Sequence, residues 1–221
     1  LSTIQFNSSD LILNSENGDI QIQERKSIPM PGNLDSNYLV RLFKGEIPCE
    51  CWQLVYDLEF LRKSKISFKA GYHEDLLYWY LISHLSQNNY FVEKSLYYKY
   101  RRMGSIINTL STKHIKDYFG ALTSIIIDFK EKINIDDSRE YLIGGILDVL
   151  GSRINRINKE TVQLLNNKEE LNIALWRESE KCLLNLDSNL KDAITNFSHL
   201  SRFTDKLLFW YELCYNSRKT Q

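Results

Sequence analysis

The chain has 221 residues, 43% apolar and 25% charged, proportions of an ordinary folded domain that exclude global disorder. Its 28 Lys and Arg balance 28 Asp and Glu, so no net field draws it to nucleic acid or to an anionic membrane, and local clusters must hold any anion. Cys49, Cys51, Cys182 and Cys214 include one C-x-C pair with no second pair or histidine at metal spacing, which reads as reduced thiols of an intracellular protein, and no apolar run approaches the ~20 residues of a membrane span.

Residues 4–13 and 18–23 alternate as two strands before Pro29, Pro31 and Gly32 break the chain. Ser36 can cap a helix carrying Leu39, Val40, Leu42 and Phe43, and Gly45 is placed to end it. Trp52, Val55, Tyr56, Glu59 and Phe60 recur at helical spacing and predict a helix over residues 51–62, followed by an edge strand over 65–69. Glu74 begins a third helix, closed by Asn88-Asn89, with apolar residues on more than one side. Phe91-Val92 and residues 97–100 are strand-like.

From Ser111 the apolar period changes. Ser111 is an N-cap candidate for a helix with Ile115, Tyr118, Phe119, Leu122, Ile125, Ile126 and Phe129 on one face, and further helices are predicted near 141–157, 160–165, 169–184, 188–197 and 203–215. The expected fold class is α+β, with a mixed region over residues 1–110 and an all-helical subdomain, a small antiparallel bundle, over 111–221.

Two phrases could carry chemistry. Glu74 and Asp75 follow Gly71 at the first turn of a helix, where the dipole favours negative charge; a plain acidic cap explains them as well as catalysis does. Arg101 and Arg102 abut a turn with Gly104 and Ser105, a local arrangement able to clamp phosphate oxygens or simply to lie in solvent. His84, His114 and His199 stand alone in helical contexts and read as solvated or satisfied histidines, and Trp176 and Trp210 as packing residues.

The order Trp52, Phe60-Leu61, Ile66-Ser67-Phe68, Gly71-Tyr72-His73-Glu74-Asp75-Leu76, then Tyr97 through Ile106, resembles the latter part of bacterial family-2 glycosyltransferases that build capsule, lipopolysaccharide and cell wall. The resemblance runs over residues 36–109 and implies a truncated C-terminal part of a GT-A type domain. It implies that Asp75 is the base that takes the proton of the acceptor hydroxyl. Glu74 is then a structural or acceptor-binding neighbour, Trp52 part of the wall near donor and acceptor, and Arg101, Arg102 and Ser105 the turn that approaches the diphosphate. His73 either orients Asp75 or the acceptor, or serves as a local cap. The family's lysine after the tryptophan falls at Leu54 and a frequent basic residue at Asp57, so anion contacts from that segment are not expected.

The nucleotide-binding β-α-β units and the Asp-x-Asp metal phrase are not in this sequence. Asp35 is a single carboxylate in a loop leading to a helix, so no metal ligand is assigned, and Mg2+ or Mn2+ is expected in a full-length enzyme. Leu1 begins inside a polar phrase, and a donor-binding half is expected upstream; without it the chain is expected to be inactive and to bind nucleotide sugar weakly. The implied partners are a nucleotide sugar and a glycan or glycolipid acceptor, with homo-oligomerisation through the helical subdomain and no nucleic acid. The implied location is cytoplasmic, at the inner face of the membrane. The alternative from a different class is a non-enzymatic helical module that binds protein or glycan through its Tyr-rich surface.

Overall fold

The computed structural model describes residues 3–13, 19–26, 29–30, 35–47, 49–86, 88–101, 110–132, 136–159 and 168–219. A mixed α+β region with a small open sheet is followed by a largely helical one. Contacts divide the chain into one unit of Leu1–Asp35, Ile47–Ala70 and Glu74–Thr109, and another of Ser36–Glu46, Gly71–His73 and Leu110–Gln221. The expected boundary near residue 110 is therefore joined by two excursions: Ser36–Glu46 and Gly71–His73 group with the later helices.

In the first unit β1 (Thr3–Leu13) is the central strand, antiparallel to β2 (Ile20–Arg25) and to the short β3 (Leu54–Tyr56), and parallel to β4 (Asn89–Arg101). Partners on both sides bury its polar side chains, which therefore need hydrogen bonds. Gln5 Oε1 accepts from Met30 N at 2.9 Å, Ser8 Oγ accepts from Gln53 Nε2 at 2.9 Å, and the hydroxyls of Ser9 and Ser95 lie 2.6 Å apart. The register of β4 slips between Phe6 and Ser8, a bulge in the ladder.

The helix expected over residues 51–62 is instead three pieces: a 3-10 turn at Cys51–Gln53, then β3, then α2 (Leu58–Ser64). Asp57 decides the break, because its carboxylate accepts from Phe60 N at 2.8 Å as an N-cap, while Leu54–Tyr56 pair with Thr3, Ile4 and Gln5. No strand forms over 65–69; Lys65, at φ 52°, is the left-handed cap of α2. The third helix, α3 (Glu74–Leu85), ends before Asn88 and buries Leu76, Leu77, Tyr78, Trp79, Tyr80 and Ile82 in near succession, so it is enclosed on all sides.

The second unit comprises α1 (Ser36–Phe43), α4 (Thr112–Lys132), α5 (Arg139–Lys159), α6 (Lys168–Leu184), α7 (Leu190–Phe197) and α8 (Thr204–Lys219). Gly45, at φ 67°, ends α1 as expected. The hub is α5, which contacts α1, α6, α7 and α8. Its glycines allow that closeness: a Cβ on Gly144 would lie 2.7 Å from Leu200 Cβ, one on Gly145 would lie 2.8 Å from Phe43 Cβ, and one on Gly151 would overlap Phe203.

The open carbonyls after α6 are met by cations, Arg139 Nε donating to Leu186 O at 2.6 Å and Lys130 Nζ to Asn185 O at 2.9 Å. The run at 188–197 begins at Leu190 because Asn189 caps it, accepting from Asp192 N. The run at 160–165 lies outside the described residues. No helix among the described residues is long and apolar enough to cross a membrane.

Candidate active site

Asp75 lies half-buried in the first turn of α3, and Glu74 beside it is exposed. Burial, reinforced by the negative charges of Glu74 and Glu50, pushes the Asp75 carboxyl up to about 6, against weaker opposition from the backbone N–H groups at the helix start. The same neighbourhood holds two thiols. Burial and then the charge of Asp75 raise both Cys49 and Cys51, Cys49 more strongly. Burial and this acidic setting thus make ionised Asp75 a stronger base than an exposed carboxylate.

Trp52 sits in the 3-10 turn of the same unit. Its ring lies 6.2 Å from that of Tyr97 at 29°, and Lys99 Nζ stands 4.2 Å above it, so Trp52 is engaged with β4. Tyr78 of α3 stacks on Phe68 at 3.9 Å and meets Tyr56 edge-on at 5.7 Å, and Tyr56 donates from its hydroxyl to Cys51 O at 3.0 Å. That aromatic group ties α3 to the Cys51–Gln53 turn, fixing the segment that carries Glu50 and Trp52.

Arg101 ends β4, but its side chain, with Arg102 and Ser105, lies outside the described residues. His73 belongs to the second unit, whereas Glu74 and Asp75 belong to the first. Its backbone is left-handed at φ 60°, and its ring meets Tyr118 edge-on at 4.6 Å. Burial and then Arg153 push its pKa down to about 4, so it is neutral near pH 7.

Residues that sequence reasoning passed over complete this second cluster. Tyr72 lies flat on His114 at 3.7 Å, and Asp117 accepts from Tyr72 N at 2.8 Å. His114 corrects the expectation of a solvated or satisfied ring: it is buried, its Nδ1 lies 2.7 Å from Ser111 Oγ, and its Nε2 has no hydrogen-bond partner. The Arg153 guanidinium lies 4.7 Å over the ring of Tyr118. The available signal was Arg153 and Arg156 at helical spacing in α5.

Trp210 packs as expected, donating from Nε1 to Asn172 Oδ1 at 3.0 Å, and Trp176 stacks on Tyr211 at 5.2 Å. Among the described residues no three His, Cys, Asp or Glu stand together to hold a metal ion. Comparison with protein-family models, with curated proteins and with solved structures gave no match.

Proposed function

We propose that this chain is the acceptor-side part of a nucleotide-sugar glycosyltransferase of surface polysaccharide or glycolipid synthesis, with Asp75 as its general base. The observation that carries the reading is the Asp75 carboxyl, held in the first turn of α3 and raised to about 6. A base must be ionised at working pH yet basic enough to accept a proton, and a value just below neutrality meets both demands. The ordered phrases from Trp52 to Ile106 supply the reaction class.

In that reaction the acceptor hydroxyl oxygen attacks the anomeric carbon, the bond from that carbon to the phosphate oxygen breaks, and the nucleoside diphosphate leaves with the electron pair. Asp75 takes the hydroxyl proton. Glu74 and Glu50 contribute by keeping Asp75 basic, and the Tyr56, Phe68 and Tyr78 rings hold the start of α3 in place. Arg101, Arg102 and Ser105 are proposed to meet the diphosphate. The Mg2+ or Mn2+ implied by the resemblance does not fit the described residues, which offer no ligand cluster, and no step is assigned to it here.

The test is sugar transfer by the full-length protein. Asp75→Asn lowers turnover by on the order of 10² to 10⁴ with donor affinity little changed. Wild-type-like turnover in that variant returns the Glu74-Asp75 pair to a helix cap. The exposed Tyr90, Leu96, Tyr98 and Tyr100 of β4 favour the second reading, a module that binds protein or glycan without catalysis. Glycan or protein binding abolished by Tyr98→Ser and Tyr100→Ser, with no transfer by the full-length protein, would establish it.

A further inference from the structure

A cleft of about 120 Å3 opens within the second unit, its lining including Lys44, Tyr118, Asp148, Ser152, Arg153 and Arg202. Three of these are cations and one is a carboxylate. Asp148 is committed to Arg202, whose Nε lies 2.7 Å from its Oδ2, so those two charges cancel. Lys44 and Arg153 remain, and among the described residues neither has a carboxylate at ion-pair distance.

Arg153 is held by Tyr118, 4.7 Å over the ring, while Arg156 repels it; burial draws its pKa below the usual arginine value. A half-buried cation without a counter-charge is costly, and an anion entering the cleft relieves that cost. A planar guanidinium and the neighbouring Ser152 hydroxyl from α5 face the cleft together with an ammonium from the turn after α1. Such donors suit a tetrahedral anion with three oxygens better than a flat carboxylate. The cleft volume of about 120 Å3 leaves room for a phosphate group.

We propose that this cleft binds a phosphate monoester dianion, held by Arg153 and Lys44 with Ser152 as a third donor. The two unpaired cations match its two charges. The proposal stands apart from the transferase reading, since none of its residues belongs to the Asp75 site.

Calorimetry with inorganic phosphate and with glycerol 3-phosphate, and co-sedimentation with phosphatidylcholine vesicles with and without phosphatidic acid, test it and separate the soluble from the lipid source. The expected result is binding with Kd at or below about 1 mM in at least one arm. Arg153→Gln and Lys44→Gln should each weaken it by at least about tenfold, and Lys63→Gln, in the exposed pair with Glu59, should leave it unchanged. Binding of glycerol 3-phosphate assigns a soluble ester, and binding confined to phosphatidic acid vesicles assigns a lipid headgroup. Because Arg153 also packs on Tyr118, Lys44→Gln in the turn after α1 provides the variant less coupled to the core. No binding in any arm, or binding that survives both cleft substitutions, overturns the proposal.

Discussion

Arg202 donates from Nε to Oδ2 of Asp148 at 2.7 Å, while that carboxylate is only 1% exposed. The other oxygen of Asp148 accepts from Ser201 Oγ at 2.7 Å and from Arg202 N at 2.6 Å, and Arg202 also donates to Lys44 O at 2.7 Å. One buried carboxylate thus joins α5 to the turn before α8 and, through Arg202, to the turn after α1. Asp148→Ala removes three hydrogen bonds at once and should destabilise by about 2–4 kcal/mol. Urea unfolding measures it, and an unchanged midpoint would deny the linkage.

The glycines of α5 should respond unlike that of α4. Gly151→Ala drives a methyl into Phe203, and Gly145→Ala places one 2.8 Å from Phe43 Cβ, so both should destabilise by about 1–3 kcal/mol. Gly120, with nothing within 4 Å of its added Cβ, lies inside α4, and Gly120→Ala should stabilise by about 0.5–1 kcal/mol. Thermal melts of the three variants give the signs directly.

Asp75 and His73 should make stability depend on pH in opposite senses. The Asp75 carboxyl is near 6 folded against an ordinary 3.8, so the folded chain holds the extra proton between those values and loses stability as pH rises through them. Asp75→Asn should therefore melt higher than wild type above pH about 6, with the gap closing toward pH about 4. His73, near 4 folded against an ordinary 6.5, contributes stability that is present above pH 6.5 and is lost as pH falls toward 4. His73→Gln should remove that acid sensitivity. Melting curves across this range check both, and parallel curves for wild type and Asp75→Asn would deny the raised carboxyl.

The thiols report the same field. Burial pushes Cys182 up to about 12, so it should resist iodoacetamide until the chain unfolds. Cys51 is held back by burial and by Asp75, and its alkylation should accelerate in Asp75→Asn. Site-resolved mass spectrometry reads both; equal Cys51 rates in the two proteins would place Asp75 too far away to matter.

What the sequence disclosed depended on whether one period had one explanation. The face formed by Ile115, Phe119, Leu122, Ile126 and Phe129 admits only a helix, and α4 is there. Trp52, Val55, Tyr56 and Phe60 fit helical spacing too, but strand pairing with Thr3, Ile4 and Gln5 outweighs that pattern, and Asp57 offers the backbone a fresh start. Glu74 and Asp75 were legible as an acidic first turn; Glu50, whose charge adds to burial and to Glu74 in raising Asp75, comes from a separate segment and carries no local signature.

The chain passes between its two units at residues 35–36, 46–47, 70–71, 73–74 and 109–110. Such interleaving bears on inheritance. A genetic crossover near residue 110 would carry α4 to α8 away from α1, so that Gly145 parted from the Phe43 side chain shaped to pack on it. The helical unit is therefore not one contiguous cassette of sequence.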